Sequence, residues 1–574
     1  MDAILSLVAI LILAFWTDVN ELEVALLALA ACVAVVRPRL WDLGFRRAEQ
    51  WCRDFVQRGA PFYVAVGALT VLLRVAMLPF QEVPQPLIVD EFSHRLLAET
   101  LLLGRVSNPT PPMWEHLQTM QVIQRPAYAS MYMPAQGFFL AIGKVLTGSL
   151  WAGVVLSVAL MCMAICWALR GWLPPFWAAL GGLIAILRFG LFSYWMNSYW
   201  GGAVSALGGA LVIGAFPRLT RGARTGPAVL MGLGIALLLF SRPFEGAAVC
   251  APVAVAIFAW LVRLRGRVRR VALLRAAAPV VCLVVLSAAL LAWYDAKVTG
   301  SPFRLPYEVN QQEYGWPLTL AWFPVVPHSN TIRAMQDYFL WEVAEHKKVT
   351  DPASTVYANT MDAAMLWTFF AGPALTIYLI FVPLGFRDRR MRLPLAVLLA
   401  GLAALAIEQS RYPHYFSPAT AAYLILLLEG ARHMRAAGAR GRPWLLAMYR
   451  FVPVVIVVVV AARAAVPALW HRRNWFIRDT SWCCSRSGNP HREKIVDALS
   501  RMPGKQLVIV RYGATHVFLY EWVLNGPDID KEKIVWAHDM GSAKNEELIR
   551  YYSGRRVWLL NVDDDSKLPA LSPY

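Results

Sequence analysis

Apolar and polar residues alternate along this chain in long blocks rather than at the spacing of a soluble helix or strand. Apolar blocks fall at 1–16, 22–36, 62–80, 151–169, 174–187, 202–216, 229–240, 247–261, 276–294, 361–381, 394–407, 417–428 and 451–469. A helix needs roughly 20 apolar residues to cross a bilayer, and these blocks approach that length, so they predict thirteen spans. Block 134–146 is apolar too, but it is short and carries Lys144, and we read it as a helix lying on the membrane surface. Block 1–16 lacks the basic start and small-residue cleavage site of a removed leader, so it reads as half of a hairpin with 22–36.

Charge gives the blocks a direction. Arginine-rich stretches at 37–58, 217–224, 263–270, 387–392 and 432–442 all fall on one side when the amino terminus starts inside. Short basic loops stay in the cytoplasm. Counting 134–146 as a span would put Arg218, Arg221 and Arg224 on the other side. The expectation is a polytopic α-helical membrane protein whose carboxyl terminus and two long polar loops, 81–149 and 295–360, lie outside. Three regions follow: 1–59, a hairpin and a basic cytoplasmic loop; 60–470, the transmembrane core; and 471–574, a small extracytoplasmic α/β domain.

The composition agrees, at 58% hydrophobic and 16% charged, against about 25% charged in soluble proteins. A net charge of +18 would suggest nucleic acid in a soluble chain. Here the basic loops account for it, and no basic-aromatic RNA-binding module is present. Cys32, Cys162, Cys166, Cys250 and Cys282 lie in apolar segments. Cys483 and Cys484 alone are expected in an oxidising compartment, as free thiols, with a partner elsewhere, or paired at the cost of strain.

The carboxyl-terminal region is polar and mixed. HREKIVDALSRM, THVFLYEWVL and NEELIRYY read as helices, and QLVIVRY, KIVWAH and RRVWLLNV as strands, which predicts a parallel α/β layer. It has no GxGxxG and no GxxxxGK[ST], so nothing supports a nucleotide site.

A loop of about fifty residues between membrane segments is long enough to be functional. The first one carries Asp90 and Glu91 just past a membrane exit, then His94, Tyr128, Tyr132 and Gln136. A carboxylate in a partly dry cleft becomes a better base. Asp90 also suits an N-cap, with Glu91 in the first turn of EFSHRLLAETLLL. For an oxyanion, the arginine fork is the fitting partner. Arg411, Arg304 and Arg242 stand at outer membrane ends, Arg411 first because Tyr412 and His414 follow it; snorkelling at the interface is the plainer fate of each. Asn197, Tyr199 and Trp200 in FSYWMNSYWGG read as an aromatic belt or as a sugar-stacking floor.

Four features taken together resemble the GT-C superfamily of polyprenyl-phosphate-sugar glycosyltransferases, in layout the protein O-mannosyltransferase and aminoarabinose-transferase branch. They are Asp90-Glu91 in the first outer loop, YMPAQGFFLAIGKVL after it, NSYWGGAVSALGGALVIGAFPRL, and RYPHYFSPATAAYLILLL. The resemblance implies a GT-C-like enzyme of the bacterial inner membrane. It would move a sugar from an undecaprenyl- or dolichyl-phosphate carrier to a hydroxyl of a lipid, glycan or protein acceptor outside. Asp90 matches the acidic catalytic position, with Glu91 beside it; no cofactor is firmly implied, and a divalent cation (Mg or Mn) is left open. The extra amino-terminal hairpin departs from relatives, as does Met133-Pro134-Ala135 where they carry His-Pro-Pro. A transporter or lipid flippase gated by Asp90 and Arg411 is the rival reading. Transporters place their charges near the midplane, whereas these charges sit at outer ends and in loops.

Overall fold

The computed structural model describes residues 18–317, 320–466, 480–484, 490–563 and 567–574. Block 1–16 of the expected hairpin, the start of the carboxyl-terminal region at 471, and Asp564 and Asp565 lie outside the described residues. Helices dominate: α1 Asp18–Val36, α2 Asp42–Gln57, α3 Ala60–Ala76, α4 Val89–Leu102, α5 Pro134–Thr147, α6 Trp151–Trp172, α7 Pro175–Phe189, α8 Ala203–Arg221, α9 Thr225–Leu239 and α10 Pro243–Arg263. They continue with α11 Gly266–Thr299, α12 Pro306–Tyr314, α13 Arg333–Thr350, α14 Pro352–Phe370, α15 Gly372–Leu379, α16 Arg392–Ile407, α17 Thr420–Ala439 and α18 Pro443–Ala465.

This is an integral membrane protein. Among the described residues, six helices are long and apolar enough to cross a membrane, or up to eight if each of two bent pairs forms one span. The expected thirteen is therefore not reached. α7 and α9 are apolar but short, and α17 carries Glu429, Arg432 and Arg435 from its midpoint on. Block 62–80 ends as a helix at Ala76, and block 361–381 is broken by a 91° bend. The basic stretch 37–58, read as a loop, contains helix α2, which meets α3 at 112°.

The core is built on α6, α7, α8 and α17 and on one face of α18, whose Val454, Val457 and Val458 stay exposed on the other. Deep inside it the Arg188 guanidinium pairs with Glu23 of α1 at 3.1 Å, both fully buried. α5 forms where 134–146 predicted a surface helix. Pro134 at its first position suits the fixed proline φ, and Gly148 at φ 80° closes it. α5 can lie against α6 because Gly143 and Gly153 meet there; a Cβ on either would strike the other helix's backbone.

The carboxyl-terminal layer is a four-stranded sheet in the order β4-β3-β5-β6. β3 (Gln506–Tyr512) pairs in parallel with β4 (Ile534–His538) and β5 (Arg556–Val562), as the alternation predicts. β6 (Ala570–Pro573) adds an antiparallel edge. Helices α19 (Pro490–Arg501) and α20 (Ser542–Tyr551) match two of the three expected. THVFLYEWVL is not a helix. Tyr520 N–H instead closes a turn on Val517 O at 2.9 Å, and Glu521 Oε1 accepts the backbone N–H groups of Trp522 and Val523, at 2.9 and 2.8 Å. Cys483 and Cys484 are joined in a disulfide.

The layer packs directly on the first long loop. Thr119 Oγ1 donates to Val523 O at 2.6 Å, Tyr128 Oη to Asn525 O at 3.0 Å, and Lys544 pairs with Glu115 at 2.8 Å. It therefore shares that loop's side of the bundle.

Candidate active site

The first loop is pinned before it reaches Asp90. Arg74, fully buried in α3, donates to Gln81 O at 3.0 Å and Glu82 O at 3.1 Å, and through Nε and Nη2 to Asn197 Oδ1 at 3.1 and 2.9 Å. Asn197 donates onward to Leu191 O and Ser193 O. Tyr199 donates its hydroxyl to Pro84 O at 2.9 Å. Asn197 and Tyr199, read as a sugar floor, are thus buried fasteners of the loop.

The neighbouring carboxylates at the start of α4 take different jobs. Glu91 Oε2 accepts the N–H groups of Leu87 and Ile88 at 2.7 and 3.1 Å, and Oε1 accepts that of Tyr199 at 2.9 Å. The helix start is therefore held by Glu91, and the capping role considered for Asp90 passes to it. Burial pushes the Glu91 carboxyl up to about 7 against those three donors. Asp90 faces a cavity and accepts the Tyr132 hydroxyl. Burial raises the Asp90 carboxyl above the ordinary range, while Tyr132 and the Arg242 charge hold it back.

Helix periodicity brings Ser93 and His94 to the same face as Asp90. Ser93 Oγ donates to Gln121 O at 2.7 Å and meets Ser130 Oγ at 2.7 Å, sewing α4 to a short hairpin of β1 (Val122–Ile123) and β2 (Ala129–Ser130). The His94 ring stacks on Tyr132 at 4.3 Å. Burial, then the Arg242 charge, lower His94 to about 3, so the ring stays neutral.

The cavity has a volume of about 390 Å³. Asp90, Tyr132, Trp200, Arg242 and Tyr412 line it, which brings together five residues singled out from distant parts of the sequence. His94 and Gln136 border a small annex of about 30 Å³. Gln136 also donates to Tyr199 O at 2.8 Å. His414 lies behind the wall, its Nδ1 3.0 Å from the Tyr194 hydroxyl and its ring 4.5 Å from Trp200. Tyr128 points instead to the carboxyl-terminal layer.

The order of the arginines is revised. Arg411 does not line the cavity; it faces Asp362 at 3.6 Å, bonds Asn359, and donates to Glu408 O and Ala406 O at 3.2 and 2.9 Å. Arg304 is bonded to Gln312 on an exposed surface. Arg242 lines the cavity, with Nη1 3.1 Å from Glu245 Oε1 and its plane 4.1 Å from the Tyr415 ring centre.

Sequence reading missed several wall residues. Glu342 of α13 and Glu408, just past α16, both face the cavity. Close polar contacts run from Asp90 to Glu342: the single Tyr132 O–H serves either Asp90 or Gln121 Oε1, Gln121 Nε2 donates to the Tyr338 hydroxyl at 3.1 Å, and that hydroxyl donates to Glu342 Oε1 at 2.6 Å. Gln409 Nε2 donates to Glu342 Oε2 at 2.7 Å. Burial pushes Glu342 up to about 7. Glu408 lies in the same EQSRYPHY stretch as Arg411, where its acid was the unused signal; Glu342 had none. Phe244, Leu305, Trp316, Phe323 and Leu519 give an apolar side. No group of three or more His, Cys, Asp or Glu able to hold a metal occurs among the described residues.

No family model and no curated protein sequence matches the chain. Solved structures do. The oligosaccharyltransferase AglB from Archaeoglobus fulgidus, in complex with an inhibitory peptide and a dolichol-phosphate, is 11% identical; the match covers 87% of this chain and 69% of that one, with a TM-score of 0.46. ArnT from Cupriavidus metallidurans in the apo state is 13% identical over 87% of this chain and 92% of its own, with a TM-score of 0.47. ArnT bound to undecaprenyl phosphate is 13% identical over 88% and 93%, with a TM-score of 0.43.

Proposed function

We propose that this protein is a membrane glycosyltransferase that moves a sugar from a polyprenyl-phosphate carrier to an acceptor hydroxyl on the extracytoplasmic side. The observation that carries the reading is one cavity, at the loop-bearing end of the bundle, walled by both Asp90 and Arg242 and apolar along one flank. Asp90, with its raised carboxyl, takes the acceptor proton as the oxygen attacks the anomeric carbon. The bond from that carbon to the carrier phosphate breaks, and Arg242 receives the phosphate as the leaving group. Tyr132 keeps its proton, since burial and Asp90 hold its phenol well above the usual range, and so orients the carboxylate. Trp200 and Tyr412 supply faces for a sugar ring.

A lipid, glycan or protein acceptor fits this chemistry equally. The test incubates the purified protein with radiolabelled undecaprenyl-phosphate sugars, one at a time, and follows label leaving the lipid. Asp90→Asn keeps size and should lower turnover by about 10²–10⁴ while leaving thermal stability intact. Turnover like the wild type in Asp90→Asn refutes the assignment.

A further inference from the structure

A second cavity lies at the opposite end of α3 from Asp90. It is a groove of about 350 Å³ between α2, α3, α7 and α18, walled by side chains such as Trp51, Phe55, Phe62, Leu69, Leu180 and Leu183. Its lining is almost wholly apolar, so water is a poor occupant.

The helix that roofs it is built in three stripes. Phe45, Glu49, Cys52 and Val56 turn toward the bundle. Glu49 is held there by Arg435 at 2.8 Å and Arg450 at 3.2 Å, and Asp42 is also paired with Arg450. Ala48, Trp51 and Phe55 line the groove, joined at its inner border by Phe45, Glu49 and Cys52. Arg46, Arg47, Arg53 and Arg58 are exposed on the remaining side. Trp41, Leu43 and Trp51 are 68%, 71% and 65% exposed, a heavy apolar surface to leave in water. A helix with this pattern, bent 112° from the apolar helix α3, belongs in the interface plane.

We propose that α2 is an interfacial helix and that the groove beneath it holds an acyl chain of an anionic phospholipid. The apolar walls take the chain, and the arginines beside them take the headgroup phosphate. Charge complementarity selects this occupant over a zwitterionic lipid, since basic side chains at a membrane surface attract anionic headgroups. The site is separate from the Asp90 cavity and does not depend on the transferase reading.

Native mass spectrometry of the full-length protein tests it, with dioleoyl phosphatidylglycerol or dioleoyl phosphatidylcholine added at equal concentration. Wild type should retain the glycerol lipid about tenfold better. Ala48→Trp, which fills the groove from α2, should abolish retention of both; Ala65→Trp does so from the opposite wall should Ala48→Trp fail to fold. Combined Arg47→Gln, Arg53→Gln and Arg58→Gln should keep binding but lose the preference. Equal retention of the two lipids by wild type, or undiminished retention in both groove-filling variants, overturns the proposal. So does undecaprenyl phosphate displacing the glycerol lipid from wild type, because the groove would then belong to a polyprenyl chain.

Discussion

Arg242→Lys separates the structural reading of the donor site from the one drawn from sequence order. Lysine keeps the charge but loses the planar fork and the stack on Tyr415, which lies 4.1 Å from the guanidinium. A hydrogen bond to a charged group contributes about 1.5–3 kcal/mol, and an exposed cation–π contact about 0.5–1 kcal/mol. The stack is made without carrier and its loss falls on stability, so losing one arm of a bidentate phosphate contact should weaken carrier binding by about 1.5–3 kcal/mol, or about tenfold to somewhat over a hundredfold. Arg411→Lys should behave differently. Its guanidinium is engaged by Asp362, Asn359 and the carbonyls of Glu408 and Ala406. That variant should lower the melting temperature while shifting carrier affinity by no more than about 0.5 kcal/mol, the scatter for sites sharing no partner. The assay is titration of undecaprenyl phosphate into detergent-purified protein by calorimetry, with a thermal melt of each variant. Loss of affinity in Arg411→Lys with Arg242→Lys unchanged refutes the assignment.

Glu91→Gln should destabilise by about 1.5–3 kcal/mol, since an amide NH₂ must face one of the N–H donors that Glu91 accepts from Leu87, Ile88 and Tyr199; an unchanged thermal melt contradicts this. In Asp90→Asn the Glu342 carboxyl should titrate lower than its wild-type value of about 7, because Asp90 is one of the negative neighbours that raise it and removing that charge favours ionisation. Infrared difference spectra against Glu342→Gln read this, and an unmoved or raised Glu342 band breaks the link. Phe518→Ala should raise acceptor KM with little change in carrier affinity. Phe518 packs at 5.9 and 5.8 Å on Tyr338 and Trp341, and its neighbour Leu519 lines the cavity; an unchanged KM removes the carboxyl-terminal layer from substrate handling. Cysteines at Ser107, Ser329 and Glu546 should all label from outside in intact cells, and labelling of any only after the inner face is opened overturns the topology.

The sequence by itself determined the class of molecule. Burying that many apolar residues without water demands helices in a bilayer, because each backbone group must be satisfied within its own segment. It also determined the parallel strands, whose apolar runs alternate with helical spacing. Asp90 could be picked out because two carboxylates beside a membrane exit are costly and conspicuous, and α4's periodicity placed Ser93 and His94 beside it. Which carboxylate caps the helix was not legible, since Asp90 and Glu91 both suit a first turn. Glu91 became the clamp by turning back on the N–H groups of Leu87 and Ile88 and meeting that of Tyr199, more than a hundred residues on. Arg242 and Arg411 look alike in sequence, both cations at a membrane end. Packing decided between them: Asp362 and two carbonyls surround one, while Tyr415 and the cavity face the other. Tertiary structure also overrode the helical period of THVFLYEWVL: Phe518 packs on Tyr338 and Trp341 of α13, and Leu519 lines the cavity. Local patterns specify elements; which side chains meet across hundreds of residues is set by close packing, which no local pattern encodes.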